Sequence, residues 1–251
     1  MMIVHRIKVV DSTNLHLMEM AIKGAPSWTV VLADVQTGGL GRSGRTWWSP
    51  PGGLYMSVLI RPGGRTMNLP RLPILASLAV LGAMAEPLPS SVRVKWPNDI
   101  LVKGRKLAGI LVSSRTEGTF IPWVVAGFGV NLARPGRTVP KELEGKLAFL
   151  EDISPGISRD GLAEAILKEL ERLQICLEDE RAWVEAIKQW TARAELDTPY
   201  LHRDGQGETA GVPVRLALDG GLVLRTDKGE VTVHSGEITG TDQSPMSKGQ
   251  S

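Results

Sequence analysis

Gly39, Gly41 and Gly44 lie in the stretch GGLGRSGRTWWSPPGG, residues 38–53, with Arg42 and Arg45 among them and Trp47 and Trp48 close behind. A run of glycines exposes backbone N–H groups, and two guanidinium groups beside them add charge-assisted donors, so the segment suits an anion. The two indoles add flat apolar surface for a ring or an alkyl chain. Such a loop can order over a ligand and exclude water from a reactive intermediate.

The spacing G-x-G-x-x-G also occurs in nucleotide-binding loops, and the flanking residues exclude the common ones. A dinucleotide site needs a helix opening at the third glycine and an acidic residue about 20 positions later. Here RTWWSPP follows Gly44, and no acidic residue occurs between Asp34 and Glu86. A protein-kinase loop is followed by a strand lysine and a later D-F-G, which are absent. A P-loop ends in G-K-[S/T], whereas Gly44 is followed by Arg45.

Charge is unevenly spread along a chain whose net charge is only +2. Arg42, Arg45, Arg61, Arg65 and Arg71 fall in the acid-free window, and Arg93, Lys95, Lys103, Arg105 and Lys106 form a second cluster interrupted by Asp99. Together they suit an anionic ligand such as a nucleotide phosphate, or an acidic protein partner. The single cysteine, Cys176, has leucines at helical spacing and reads as a core filler. His5, His16, His202 and His234 lack metal-ligand spacing, and no metal site is assigned.

These residues need a scaffold, and 251 residues with 42% apolar content can bury the core of one or two domains. The longest apolar run, residues 72–85, is too short for the ~20 residues of a bilayer span, and no signal peptide is evident, so a cytoplasmic protein is expected. Residues 29–33 and Leu54–Ile60 read as buried strands flanking the glycine loop, and 72–86 as a helix closed by Pro87 and Pro89. Val92–Lys95 is a strand before the turn WPND; 100–102 and 107–112 are strands joined by a hairpin at Gly104. Residues 124–132 form another strand, in which Gly127 and Gly129 bare one face for a ligand or another backbone. Ser12 and Thr13 precede LHLMEMAI as candidate helix N-caps, with Asp11 as competitor.

Leucines at spacings of three and four make 159–194 helical, with a second helix over 182–193 carrying Trp183 and Trp190 as packing residues. Composition shifts at 197–211. Short strands follow at 212–218, Leu222–Thr226 and 230–233, separated by DGG and DKG turns, as in a small β-barrel-like domain. The polar stretch 241–251 reads as disordered.

Six ordered blocks resemble the biotin protein ligases over about 120 residues: Asp11-Ser12-Thr13-Asn14; Gln36; the loop from Gly41 to Trp47; Lys95-Trp96-Pro97-Asn98-Asp99-Ile100; Arg105-Lys106-Leu107-Ala108-Gly109-Ile110-Leu111; and Gly127-Phe128-Gly129-Val130-Asn131. The resemblance implies an α+β fold: a mixed β-sheet with packed helices, of the class II synthetase-like kind, over residues 1–195. A small SH3-like β-barrel over 196–242 and a disordered tail over 243–251 complete it. Implied too is activation of biotin by ATP, with Mg²⁺ carried by the nucleotide, to biotinyl-5'-AMP. Biotin then passes to a lysine of a biotin carboxyl carrier protein or domain. The monofunctional type is expected, without sequence-specific DNA binding, because only ten residues precede Asp11, too few for a helix-turn-helix domain; no membrane partner is expected either. Homodimer formation is a further expectation by resemblance.

Carried over residue by residue, Ser12, Thr13, Asn14 and Gln36 would meet the ureido ring of biotin. Gly39, Leu40, Gly41, Trp47, Gly109, Leu111, Gly127 and Gly129 would line the rest of the biotin site. Lys106 would bridge the biotin carboxylate and the α-phosphate as the main catalytic group, with Arg42 catalytic beside it. Arg42, Arg45, Trp47, Lys95, Asn98, Lys106 and Asn131 would face the nucleotide. Family members usually read G-R-G-R here, and Leu40 stands in the first arginine's place. Lipoate or octanoate ligases and transferases share this architecture, and a non-catalytic biotin-binding regulator is the other alternative.

Overall fold

The computed structural model describes residues 2–61, 69–84, 87–118, 120–196, 198–204 and 207–240. Its centre is a seven-stranded sheet of β1 (Ile3–Val10), β2 (Thr29–Gln36), β3 (Leu54–Ile60), β4 (Val92–Lys95), β5 (Asp99–Val102), β6 (Arg105–Glu117) and β7 (Phe120–Val130). The order is β1-β2-β3-β7-β6-β5-β4. β1 and β2 pair in parallel and the other pairs are antiparallel, so the sheet is mixed.

Alternation along the central strands sends side chains to two layers. Val31, Leu59 and Val125 point to α1 (Thr13–Ile22), where Leu17 and Ala21 close a small core. Val30, Leu32, Val58, Ile60, Val124 and Ala126 point to the larger core on the opposite face. That core is completed by α2 (Arg71–Gly82), α3 (Arg159–Leu173) and α4 (Glu180–Arg193). Trp183 and Trp190 are fully buried in it, as their helical spacing predicts.

α2 ends at Gly82, earlier than the sequence predicts; residues 85 and 86 lie outside the described residues. β1 carries no strong apolar alternation, and its burial pattern is mostly exposed, which is why sequence pattern missed it. The C-terminal part holds β8 (Tyr200–Asp204), β9 (Gly207–Leu216), β10 (Leu222–Thr226), β11 (Gly229–Val233) and β12 (Glu237–Gly240), in an antiparallel sheet ordered β11-β10-β9-β8-β12. Only three of these strands were legible in the sequence. Tyr200, Leu216, Leu222, Leu224 and Ile238 join the same core cluster as the large sheet. Indole N–H groups of Trp96 and Trp183 donate to Gly220 O and Leu218 O, at 3.3 and 2.6 Å, and pin the β9–β10 turn. The expected tail over 243–251 lies outside the described residues.

Candidate active site

One pocket opens on the α1 face of the sheet, beyond the helix N-terminus. Cross-strand register explains its floor. Tyr55, Gly129, Gly109 and Asp99 are directly opposite one another across β3, β7, β6 and β5, and Ser57, Gly127 and Leu111 form the neighbouring row on the same face. In an unbroken strand Lys106, three residues before Gly109, would point to the other face. A β-bulge between the pairs Ile100–Ala108 and Leu101–Lys106 removes that mismatch and turns Lys106 into the pocket.

The end under α1 is neutral and polar. Ser12 caps the helix, its Oγ accepting from Leu15 N at 3.5 Å. Thr13 N and Thr13 Oγ1 both donate to Gln36 Oε1, at 2.8 and 3.1 Å. Ser57 Oγ donates to Thr13 Oγ1 at 2.8 Å. Asn14 is 4% exposed and turns its Nδ2 to Leu111 O and Ser113 Oγ, both at 3.4 Å. Because Leu111 O can only accept, Asn14 Oδ1 must face the other way, and it is buried without a hydrogen-bond partner. A Cβ on Gly127 would stand 3.1 Å from that oxygen.

Trp47 roofs the next section. Its indole lies on the bare glycines: a Cβ on Gly109 would come within 2.9 Å of it, and one on Gly129 within 2.5 Å. Trp47 Nε1 is buried and lacks a partner. Buried polar atoms left unpaired are uncommon, and the pocket holds one orphan acceptor and one orphan donor. The loop itself closes like a small hairpin, with Trp47 N donating to Gly39 O at 2.8 Å and Gly41 N to Arg45 O at 2.7 Å. Its tip turns through Ser43 and Gly44, both at positive φ.

The far end is cationic. Lys106 Nζ is 2.8 Å from Asp99 Oδ1 and 5.3 Å from the centre of the Trp47 ring. The Lys106 backbone is held on three sides: its N donates to Lys146 O at 2.8 Å, and its O accepts from Ala148 N at 2.9 Å and from Asn131 Nδ2 at 3.0 Å. Arg42 donates to Asn98 Oδ1 at 3.3 Å and to Gly236 O at 2.7 Å, tying the loop to both sheets. Leu143 and Leu147 add an apolar wall beside this end.

Most of the residues singled out by sequence meet here: Ser12, Thr13, Asn14, Gln36, Leu40, Gly41, Arg42, Arg45, Trp47, Asn98, Lys106, Gly109, Leu111, Gly127, Gly129 and Asn131 all line the pocket. Gly39 and Lys95 do not. Gly39 sits behind the wall, where a Cβ would collide with Trp47 O and Ser49 Oγ. Lys95 turns away, its ammonium 5.1 Å from the centre of the Tyr200 ring, and burial lowers its pKa against the opposing pull of Glu195 and Asp99. The basic clusters divide likewise. Arg61 bonds Ala21 O and Ala25 O at the end of α1, Arg71 is buried against Cys176 O and Glu180, and Arg93 bonds Ala194 O. Those three are scaffold; Arg65 lies outside the described residues. Sequence reasoning missed Ser57, a hydroxyl inside the apolar run LYMSVLI, and the 143–147 segment, which has no strong periodicity. Among the described residues no three His, Cys, Asp or Glu side chains gather as a metal site, and no helix is long and apolar enough to cross a membrane.

Known proteins resemble this chain over most of its length. The biotin–[acetyl-CoA-carboxylase] ligase of Paracoccus denitrificans is 32% identical, covering 91% of this chain and 96% of its own. The bifunctional ligase/repressor BirA of Bacillus subtilis is 30% identical over 92% of this chain and 71% of its own length. The biotin protein ligase of Aquifex aeolicus in complex with biotin and ATP superposes with a TM-score of 0.79 at 28% identity, covering 94% of this chain and 97% of that one. Residues 6–131, the span that carries every strand and loop of the pocket floor and roof, match the model of one family, and the chain belongs to it: the biotin/lipoate A/B protein ligase family.

Proposed function

We propose that the protein activates biotin with ATP to biotinyl-5'-AMP and transfers biotin to a lysine of a biotin carboxyl carrier protein or domain. The observation that carries this reading is the pairing, in one pocket, of a neutral polar end with a cationic end on either side of Trp47. A cyclic urea needs donors at its carbonyl and acceptors at its N–H groups. Ser12 keeps its hydroxyl proton and Gln36 keeps one amide proton for the carbonyl, while the unpaired Asn14 Oδ1 faces a ring N–H.

At the other end Lys106, Arg42 and Arg45 reduce the repulsion between a carboxylate and the α-phosphate. A carboxylate oxygen attacks the α-phosphorus, a P–O bond forms, and the bond to pyrophosphate breaks with the electron pair leaving on pyrophosphate. The acceptor lysine, as free amine, then attacks the acyl carbon. A C–N bond forms, the C–O bond to AMP breaks, and the amine proton passes to solvent. Mg²⁺ enters with the nucleotide and adds charge neutralisation at its phosphates. Asn131 contributes by fixing the Lys106 carbonyl, and Leu143, Leu147 and Trp48 offer apolar contact to the nucleoside.

The same reading takes residues 1–195 as the catalytic domain and 196–242 as a small SH3-like domain that braces the loop through Gly236. A cytoplasmic location and a homodimer paired at a sheet edge belong to it as well. The test is incubation with ATP, labelled biotin and a carrier domain, reading pyrophosphate release and label on the carrier. Biotin-dependent release with label on the carrier lysine is expected. Release with lipoate alone, or tight biotin binding with no label transferred, would overturn the proposal.

A further inference from the structure

Ser49 follows the glycine loop, is 2% exposed, and links Gln36 of the pocket's polar network to the Trp47 backbone. Gln36 Nε2 donates to its Oγ at 2.9 Å, and Ser49 Oγ donates to Trp47 O at 3.0 Å. The direction of the chain is fixed at both ends by backbone groups. Thr13 N–H can only donate, so the Gln36 atom facing it must be Oε1, and Nε2 must face Ser49. Trp47 O can only accept, so the Ser49 proton must go to it. Thr13 Oγ1 gives its proton to Gln36 Oε1 and accepts from Ser57. The result is one directed relay, Ser57 to Thr13 to Gln36 and, through the amide, to Ser49 and Trp47.

We infer that Ser49 is a positioning residue that couples recognition of the biotin ring at Gln36 to placement of the Trp47 roof. The inference rests on the biotin-ligase reading of the pocket. Two features support it beyond the bonds themselves. Trp47 is clamped through its backbone on both sides, by Gly39 O at its N–H and by Ser49 at its carbonyl, so the hydroxyl sets the height of the indole over Gly129. Gly39 is also the point where Gln36 Nε2, Ser49 Oγ and Trp47 O converge, each within 2.9 Å of where a Cβ would be, so the backbone is shaped around this junction. Without Ser49 the Gln36 amide keeps its Thr13 contacts at Oε1 but loses the acceptor at Nε2, and the roof loses one of its two backbone anchors.

The test compares the native protein with Ser49→Ala, Gln36→Ala and the double variant. Biotin affinity is read by calorimetry, ATP KM by pyrophosphate release, and loss of preformed biotinyl-5'-AMP by filtration. Ser49→Ala is expected to weaken biotin about tenfold while ATP KM stays within about twofold, and to speed adenylate loss severalfold; one net hydrogen bond of 1–1.5 kcal/mol corresponds to this factor. In the Gln36→Ala background, Ser49→Ala should weaken biotin by clearly less than it does in the native protein, since only the Trp47 anchor remains to be broken, and should still speed adenylate loss. Unchanged biotin affinity in Ser49→Ala, or losses that simply multiply in the double variant, would overturn the role. If Ser49→Ala does not fold, Ser49→Cys supplies the same comparison with a weaker donor of similar shape, and the same outcomes apply. Absence of biotin binding by the native protein would instead sink the ligase reading, before any variant is compared.

Discussion

Lys106 Nζ and Asp99 Oδ1 stand 2.8 Å apart in a half-open ion pair at the cationic end of the pocket. A β-bulge in β6 makes the pair possible, by bringing Lys106 to the face on which Asp99 already lies. A half-open ion pair of this kind is partly screened by solvent and adds modest stability, so its chief effect is to orient the ammonium. Lys106→Ala should lower adenylate formation by about 10²–10³-fold, with biotin affinity held within about threefold, since an electrostatic donor acts mainly in the transition state. Asp99→Asn should cost about tenfold. If Asp99 acts through Lys106, the double variant should be no worse than Lys106→Ala alone, in a biotin-dependent pyrophosphate-exchange assay.

Arg42 bridges two parts of the molecule that sequence keeps far apart, donating to Asn98 in the WPND turn and to Gly236 before β12. Both bonds hold the glycine loop down over the pocket. On the proposed ligase reading, Arg42→Gly removes a charge that would retain the acyl-adenylate, and it also removes both tethers. Adenylate release should rise about tenfold or more, seen as labelling of a bystander protein such as albumin without any carrier domain. A release rate equal to that of the native protein would exclude the retaining role.

Tyr55 anchors the segment after the loop, its buried hydroxyl donating to Pro50 O at 2.6 Å. Burial raises its pKa above the ordinary value of 10, against a smaller opposing pull from Arg137. The sign follows directly: a group whose folded-state pKa is raised contributes stability that is complete below pH ~10 and is lost as pH rises above it. Native protein should therefore lose denaturant stability progressively as pH rises above about 10, until the raised folded-state value is reached. Tyr55→Phe should cost about 1–3 kcal/mol at pH 7, because Pro50 O is left unpaired, and should flatten that alkaline loss. Equal alkaline slopes in the two proteins would remove Tyr55 as the cause.

The buried strands and the helix pairs were legible because their apolar runs and leucine spacing carry the burial signal directly. Gly127 and Gly129 were legible as a bare face, but what covers that face was not: the indole of Trp47 and the amide of Asn14 fill it, and neither contact leaves a periodic trace. The bulge that turns Lys106 inward was invisible for a similar reason, since strict alternation argues for the opposite face. The arginines misled as a group. Arg42 and Arg45 serve the pocket, whereas Arg61, Arg71 and Arg93 cap backbone carbonyls, and only tertiary contact separates the two uses. β8 and β12 pair with each other although 32 residues separate the end of one from the start of the other, and short strands with such distant partners carry almost no local pattern.

Gly129 gives the sharpest test of the Trp47 seat. A Cβ there would lie 2.5 Å from Trp47 Cε2 and 2.6 Å from Nε1, closer than real Cβ contacts allow, so the indole must rise. Gly129 is not among the glycines with positive φ, so an alanine suits its backbone and the strand should still form. Gly129→Ala should therefore weaken biotin at least tenfold, read by calorimetry, while the melting temperature falls by only a few degrees. Gly44→Ala is the matched control at the loop tip. It meets no atom within 4 Å, but its φ of +73° penalises a side chain by about 1 kcal/mol. That cost strains the turn without touching the indole, so biotin affinity should move less than in Gly129→Ala. If the two variants weaken biotin equally, the seat under Trp47 is not what shapes the site.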